Sequence, residues 1–259
     1  ERYLPRGSHV DLDFALRGAV VATALSEGRV QLGYLDDLRA VALVASDEGY
    51  SLVGVAALSQ DLCVLVVRYN APAFTNALEG IRWLAGKRFA VRSGTCDERV
   101  AHSAFARENV QPAHTFDFGS EVFATAFKNG SIDAAGVNEV GAANLIEAGL
   151  ARRLYSSRTV GAWDAVFIAA SAALINQCSD LLRGWLQAEL DAQVFISDVD
   201  NTDETVGIVA KHLPGVPERA LRLALYGAYP TGQGGAPVRR VASRAGPPVH
   251  PDGFGHAGT

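Results

Sequence analysis

The chain has 259 residues, of which 49% are hydrophobic and 20% charged, and its net charge at pH 7 is −5. This length fits one large domain or two of about 100–150 residues each, and the composition is ordinary for a globular protein. An acidic chain without a basic tract is a poor partner for nucleic acid, and no apolar run approaches the roughly 20 residues of a membrane span.

Strand-like apolar runs alternate with amphipathic or Ala-rich helical runs through most of the chain. The first series predicts strands over 10–14, 30–34, 52–57 and 62–67, with helices over 16–27 and 39–46. The second series predicts strands over 89–91, 115–118 and 132–137, with helices over 97–108, 121–128 and 140–147. This alternation predicts an α/β fold with two largely parallel sheets.

The remaining segments connect or extend these two series. We expect connectors over 68–76 and 163–171, followed by helices over 179–193, 202–211 and 217–226. From Tyr229 the tail is rich in Gly, Pro and Arg and has no periodic apolar pattern, which predicts an extended or mobile segment.

Two stretches of the chain resemble each other. ATALSEGRVQLGYLDD (22–37) aligns with ATAFKNGSIDAAGVNE (124–139), so that Gly28 matches Gly130 and Asp36-Asp37 falls opposite Asn138-Glu139. Ala-rich helices that end in Gly also recur by chance. The match nevertheless runs through helix, cap, strand and polar loop, which favours a structural repeat and two lobes of like topology.

Two such lobes would form one cleft from equivalent loops, because ligands bind beyond the carboxyl ends of parallel strands. The loops expected at this edge are 15–18, 36–37 and 59–60 in one lobe and 93–96, 119–121 and 138–139 in the other.

The turn after strand 89–91, Ser93-Gly94-Thr95-Cys96, allows three interpretations. A thiol near a helix N-terminus can be a nucleophile, but His102 would face the other side of the helix and nothing brings His114 close. The turn lacks the GxxxxGK[ST] pattern of a phosphate loop. We expect the N–H groups of Gly94, Thr95 and Cys96, with the Ser93 and Thr95 hydroxyls, to bind an anion or polar group; the alternative is that Ser or Thr only caps the helix.

The other loops carry mostly carboxylates. If Asp36, Asp37, Glu121 or Glu139 faces inward, it suits an amine, amide or hydroxyl donor, and a zwitterion would use both halves of the cleft. Arg17, beside Gly18, is the candidate cation, although a surface position is the alternative. We expect Trp163-Asp164 to line the cleft, and the alternative is that Trp163 is a core residue.

Cysteine and histidine usage offers little further chemistry. Cys63, Cys96 and Cys178 form no CxxC, which disfavours a disulfide framework or a cysteine zinc site. The six histidines are scattered and form no metal-binding pair with nearby carboxylates.

The chain resembles the periplasmic substrate-binding proteins of ABC transporters for nitrate, sulfonate and taurine. The matching motifs are VDLDF, ALSEGRVQLGYLDD, DLCVLVVRYNAP, LAGKRFAVRSGT, FATAFKNGSIDAAGVNE and NTDETVGIVAKHLPG, in the family's order. The resemblance implies a type II periplasmic-binding fold, with lobe I over 1–67 and 172–259, lobe II over 68–171, and two crossover strands as hinge. It also implies a further strand and helix before Tyr3.

The function that the resemblance implies is solute binding for an ABC importer, by a periplasmic monomer that is secreted or lipid-anchored. It would partner permease subunits and have no catalytic residues, cofactor or metal. Alternatives are an enzyme on the same fold, such as a pyrimidine-precursor synthase or small-molecule lyase, and a ligand-sensing domain of a regulator. We expect the ligand at Arg17, Gly18, Asp36, Ser59, Gln60, Ser93, Gly94, Thr95, Cys96, Glu121, Asn138, Glu139, Trp163 and Asp164.

Overall fold

The computed structural model describes residues 2–13, 18–46 and 49–227, without the side chains of 120 and 121. The strands are β1 (Leu32–Asp36), β2 (Tyr50–Ser59), β3 (Cys63–Arg68), β4 (Arg88–Val91), β5 (His114–Asp117), β6 (Ala134–Asn138), β7 (Ala151–Ser156) and β8 (Asp164–Ser171). The α-helices are α1 (Gly18–Ser26), α2 (Asp37–Ser46), α3 (Ala77–Trp83), α4 (Cys96–Glu108), α5 (Ser120–Lys128), α6 (Glu139–Glu147), α7 (Ala172–Gln177), α8 (Ser179–Ser197), α9 (Thr202–His212) and α10 (Glu218–Tyr226). None of the helices described is both long and apolar enough to cross a membrane.

A three-stranded sheet has the order β1-β8-β2, and both of its pairings are antiparallel. Leu25 of α1 and Leu43 of α2 pack with Leu35 on one face of this sheet. Leu174 of α7 and Leu182 of α8 pack with β8 on the other face. The sheet is therefore the middle layer of three.

A five-stranded sheet has the order β5-β4-β6-β3-β7. Strands β5, β4 and β6 are parallel, whereas β3 runs antiparallel to both β6 and β7. Strand β3 is central, and its side chains alternate: Leu65 packs against α3 and α4, and Val66 against α5 and α6. Both faces are covered, which explains why this segment reads as a continuous apolar run.

Two crossover segments, 60–62 and 157–163, join the sheets, the second through a 3-10 helix at Ser157–Val160. Sheet membership departs from the boundaries expected at 67 and 171. Strand β3 was expected in lobe I but pairs in the five-stranded sheet of lobe II. Strand β8 was expected in lobe II but pairs in the three-stranded sheet of lobe I. Helix α10, expected with the first half, packs its Ala220 and Leu223 on Ala143 of α6.

Three expectations about secondary structure need correction. The sheets are mixed rather than largely parallel, because the crossover strands pair antiparallel with their neighbours. Residues 10–13 form no strand and are mostly exposed. Helices α3 and α7 and strand β7 were missed, and β8 occupies most of the predicted connector 163–171. Residues 14–17 and the predicted tail from Tyr229 lie outside the described residues.

The two matching stretches share the same helix-ending turn, although the sheets they enter differ in strand number and order. Gly28 and Gly130 both adopt left-handed backbone angles, with φ of 70° and 72°. The N–H groups of the following Arg29 and Ser131 both donate to an alanine carbonyl oxygen at 2.9 Å. Each glycine thus ends a helix and turns the chain into a strand, β1 or β6, as expected for a helix C-cap.

A disulfide joins Cys63, the first residue of β3, to Cys96, the first residue of α4. Both residues are buried in the core shared by α3, α4 and one face of the five-stranded sheet. The expectation that disfavoured a disulfide is therefore wrong, because the fold brings together two lone cysteines whose sequence positions give no sign of pairing. Cys178 is free and exposed.

We expect the disulfide to stabilise the fold substantially. It closes a loop with a sequence separation of 33, and loop-closure entropy predicts about 3–4 kcal/mol for a loop of this length. Changing both Cys63 and Cys96 to Ala should lower the free energy of unfolding in urea by about that amount, and Cys178→Ala should change it by less than about 0.5 kcal/mol. Thiol titration of the denatured, unreduced protein should find one free cysteine; three free thiols would contradict the pairing.

Candidate functional site

Equivalent strand-to-helix junctions lie at the ends of β1 and β6. Oδ1 of Asp36 accepts a hydrogen bond from the N–H of Arg39 at 3.1 Å, and Oδ1 of Asn138 accepts one from the N–H of Gly141 at 2.8 Å. Both side chains satisfy an N–H group of the first helical turn that has no partner within the helix. Asp36 and Asn138, both predicted at the cleft, therefore act as helix caps.

Arg39 of α2 reaches the turn that follows β4. Its guanidinium pairs with Asp36 at 2.7 Å, and its side chain is only 14% exposed. A β-carbon at Gly18 would lie 3.1 Å from Cδ of Arg39, and one at Gly94 would lie 3.7 Å from Nη2. Arg39 thus brings Gly18 and Asp36 together with the turn after β4.

Sequence reasoning missed Arg39 and chose Arg17, which lies outside the described residues. The position of Arg39 could have indicated its role. It lies in the first turn of the helix that follows Asp36, and a side chain there lies beside the end of β1.

The Ser93-Gly94-Thr95 turn is largely satisfied by its own neighbours. The Ser93 N–H donates to Oδ1 of Asp117 at 3.0 Å, and the Gly94 N–H donates to Glu98 at 2.7 Å. Thr95 caps α4 by accepting from the N–H of Glu98. The expectation of a free donor at Gly94 is therefore corrected, and for Thr95 the capping interpretation is confirmed. The bond from Ser93 lowers the pKa of Asp117.

Arg99 of α4 joins the two sheets electrostatically. Its Nη2 donates to Asp37 at 2.9 Å and to Asp164 at 2.7 Å. Asp164 begins β8, is 0% exposed, and also accepts from the Ser157 hydroxyl at 2.7 Å. One guanidinium therefore ties α4 to both α2 and a crossover strand.

Asp97, the second residue of α4, lies between these groups. Burial, together with the neighbouring carboxylates of Asp36 and Asp164, raises its pKa to about 7 against the opposing charges of Arg92 and Arg39. We call Asp36, Asp97 and Asp164 the carboxylate cluster. Sequence reasoning did not single out Asp97, because an acidic residue in a first helical turn is common without a ligand.

A second group of charged side chains surrounds the crossover segment 60–62. Asp61, 3% exposed, is bound by Arg153 and by Nε of Arg158 at 2.6 Å, and Glu139 pairs with Nη1 of Arg153 at 2.7 Å. Burial raises the pKa of Glu139 to about 7, and Arg153 opposes that shift. Burial alone would raise the pKa of Asp61 too, but the bond from Arg158 and the charge of Arg153 hold it below its ordinary value.

Residues 59–60 form hydrogen bonds with members of this second group. The Ser59 hydroxyl accepts from the N–H of Asp61, and the Gln60 carbonyl oxygen accepts from the N–H of Arg158. Ser59, Gln60 and Glu139 therefore stabilise a crossover, which is a structural role beside any contact with a ligand.

The remaining predicted residues fall at different places. Trp163 is 46% exposed at the end of the second crossover, so it is not a core residue. Cys96 is 8% exposed and its sulfur is in the disulfide. The side chain of Glu121 lies outside the described part of the chain. Cys63, Cys96 and Asp97 lie close enough for a metal site, but both sulfurs are bonded to each other.

We expect Arg99→Gln to destabilise the protein. The change would leave Asp164 buried without its cation, which typically costs about 3–5 kcal/mol, and partial exposure of Arg99 places the effect at the lower end. Urea unfolding should show this loss at neutral pH. The control is Arg183→Gln, which breaks an ion pair with both side chains 78% exposed and should cost less than about 0.5 kcal/mol. Equal losses for both variants would contradict this role of Arg99.

Several solved structures share this fold, and three of them are binding proteins. The alkanesulfonate-binding protein SsuA from Xanthomonas axonopodis pv. citri, bound to MOPS, superposes with a TM-score of 0.65 at 17% identity, covering 80% of this chain and 70% of that one. The aliphatic sulphonate-binding protein SsuA from Escherichia coli gives 0.68 at 18% identity, covering 80% and 65%. The nitrate-binding protein NrtA from Synechocystis PCC 6803 gives 0.64 at 13% identity, covering 85% and 62%.

These similarities confirm the expected periplasmic-binding-protein fold, and the chain spans about two thirds of the length of the three structures. A DszB variant in complex with biphenyl-2-sulfinic acid shares the fold at a TM-score of 0.60 and 15% identity. No curated protein sequence matches the chain. A family model described as NMT1/THI5 like matches residues 6–198. Since that match spans more than half of the chain, the protein belongs to the NMT1/THI5-like family.

Proposed function

We propose that the protein is the solute-binding component of an ABC importer and takes a small polar organic solute into the cleft between its two sheets. The observation that carries this proposal is the approach of Arg39 to Gly94, which brings a charged side chain of one half against the strand-to-helix turn of the other. A solute held between such surfaces would bind better to the closed arrangement and shift the population toward it.

The structural neighbours support this proposal by the ligands that they bind. Two are sulfonate-binding proteins and one is a nitrate-binding protein, and one of them holds MOPS, a molecule larger than an inorganic anion. Sulfonates and amino-sulfonates are therefore the first solutes to test. The partner in this proposal is a permease, and the protein acts as a monomer.

The disulfide supports a location outside the cytoplasm. Disulfides form and persist in oxidising compartments such as the periplasm and are rare where thiols are kept reduced. The Cys63–Cys96 bridge is buried in a core cluster rather than exposed at a surface. We therefore place the protein in the periplasm, secreted or lipid-anchored.

An enzyme on the same fold is the second candidate, and the DszB structure among the neighbours is the observation that favours it. The chemistry of the cleft favours binding instead. The sulfur of Cys96 cannot act as a thiolate while it is bonded to Cys63. His102 lines a groove with Phe89, Phe105 and Pro112, and none of Asp36, Asp97 and Asp164 lines that groove.

The test is a thermal-shift screen against sulfonates, amino acids, nitrate, aromatic acids and pyrimidines. A solute present at 100 times its Kd should stabilise the fold by about 2.7 kcal/mol. Arg39→Gln should abolish most of this stabilisation, because it removes the cation that faces Gly94. Arg29→Gln, which breaks an exposed pair with Glu27, should leave the shift unchanged.

Two further measurements separate binding from catalysis. The bound solute should be recovered chemically unchanged after prolonged incubation, and small-angle scattering should show a smaller radius of gyration with solute than without. Turnover of the solute would favour the enzyme. A screen in which nothing raises the melting temperature would contradict a solute-binding role.

A further inference from the structure

Arg99 lies where the two halves of the protein meet. It belongs to α4, which packs on the five-stranded sheet, whereas Asp37 begins α2, which packs on the three-stranded sheet. Nη2 of Arg99 donates to Asp37 at 2.9 Å, so this hydrogen bond connects a helix of one half to a helix of the other. A movement that separates the two helices must break it.

The same nitrogen also binds a second carboxylate. Nη2 of Arg99 donates to Oδ1 of Asp164 at 2.7 Å. A guanidinium carries five N–H donors in a planar fork that matches both oxygens of one carboxylate, and two-bond pairing of this kind is strong and geometrically specific. Arg99 instead shares one terminal nitrogen between two carboxylates. Its position is therefore a compromise between Asp37 and Asp164.

Two buried atoms are left without a partner by this arrangement. Nε of Arg99 has no acceptor and Oδ2 of Asp164 has no donor among the described residues. An unsatisfied buried donor or acceptor costs free energy, and these two belong to side chains that already share a hydrogen bond. A rotation of the guanidinium that gives up Asp37 would allow Nε to reach Oδ2 and complete a two-bond pairing.

The two carboxylates differ in how easily they can lose the arginine. The side chain of Asp164 is 0% exposed, and a buried carboxylate that loses its cation is strongly destabilised. The side chain of Asp37 is 23% exposed, so water can take the place of the guanidinium there. Asp37 is therefore the partner that Arg99 can release.

We propose that Arg99 is a two-position switch that sets the balance between closed and open arrangements of the cleft. In the closed position it bridges Asp37 and Asp164. In the open position it leaves Asp37 to water and pairs with both oxygens of Asp164. This inference rests on the proposed function, because it describes how the same cleft is regulated.

The exchange of one hydrogen bond for another keeps the two positions close in free energy. Opening loses the bond to Asp37 and gains the bond between Nε of Arg99 and Oδ2 of Asp164. A solute that contacts both halves then needs only a modest preference for the closed arrangement to shift the population toward it.

Ionic strength should act on this switch in one direction. The pair between Arg99 and Asp37 is partly exposed, with side-chain exposures of 32% and 23%, and dissolved ions screen such a pair. The pair between Arg99 and Asp164 contains a fully buried carboxylate and is screened much less. High salt therefore weakens the bond that only the closed position has, and favours the open position.

The experiment measures the distance between the two halves without any solute. Nitroxide labels are placed on Cys178, which is free and exposed, and on a Lys128→Cys substitution at the exposed end of α5. Double electron–electron resonance should resolve two distances. Raising NaCl from about 20 mM to about 500 mM should shift their ratio toward the open arrangement by about 1.5- to 5-fold.

Asp37→Asn should show most of this shift already at the lower salt concentration, because a neutral amide holds the guanidinium less strongly than a carboxylate. The matched control is Glu27→Gln, the same change of acid to amide in an exposed ion pair within one half. It should respond to salt as the parent protein does.

Two further readouts separate a switch from a fixed structural contact. The Nε–H resonance of Arg99 should move downfield in Asp37→Asn, because Nε then donates to Oδ2 of Asp164. Asp37→Asn should melt within about 3 °C of the parent, since Asp164 keeps its cation. A loss of melting temperature as large as that of Arg99→Gln would make Asp37 a fixed structural partner and overturn the proposal.

The remaining outcomes are decisive as well. A distance ratio that responds to neither salt nor Asp37→Asn, or that Glu27→Gln changes equally, would overturn the switch. If the ratio ignores salt and Asp37→Asn but a solute from the screen shifts it, the importer function stands and only the switch is wrong. If neither salt nor any solute alters the distances, and no solute binds, both proposals fail.

Discussion

Two buried aspartates at the crossovers hold the structure together. Asp61 lies just before β3 and Asp164 begins β8, and their exposures are 3% and 0%. A carboxylate so deep in a protein is tolerated only with a cation and hydrogen-bond donors. Arginines from α4, β7 and the second crossover supply these, so the packing of the two sheets and the ionisation of the two aspartates depend on each other.

The two crossovers share a strand pairing and an acidic residue at a helix start, but they differ in the exposure of the arginine involved. In each, an antiparallel crossover strand pairs beside a repeat strand, and an acidic residue opens the following helix, Asp37 in one case and Glu139 in the other. Arg153 pairs with Glu139 in a buried, closed arrangement, whereas Arg99 beside Asp37 is 32% exposed. The charged groups of one crossover are therefore buried, whereas Arg99 at the other remains partly accessible to solvent.

The sequence predicted most of the local structure, because helix caps, glycine turns and apolar periodicity are local signals. The repeat was visible for the same reason, since Gly28 and Gly130 end helices in matching contexts. Strand direction was not predictable from such signals: β3 and β8 read as ordinary apolar strands, and only their partners make them antiparallel. The Cys63–Cys96 pairing likewise depends on the packing of α4 on β3, which no local pattern encodes.

The strand-to-helix junctions were predicted, and the charged side chains that surround them were missed. The junctions at Asp36, Asn138 and Ser93–Cys96 were expected at the cleft because strand ends collect there. What occupies each donor or acceptor is decided by side-chain directions across the fold. For this reason the turn at Gly94 was assigned free donors, and neither Arg39 nor Asp97 was recognised.

The disulfide makes the two walls of the cleft mechanically unequal. Cys96 starts the helix that carries Asp97 and Arg99, and Cys63 anchors it to the strand that leaves the first crossover. This wall is therefore tied covalently to the five-stranded sheet, and its side chains lose less conformational freedom when their surroundings become ordered. No disulfide joins α1 or α2 to a sheet in the described part of the chain, so the surface that bears Arg39 is held by non-covalent contacts alone.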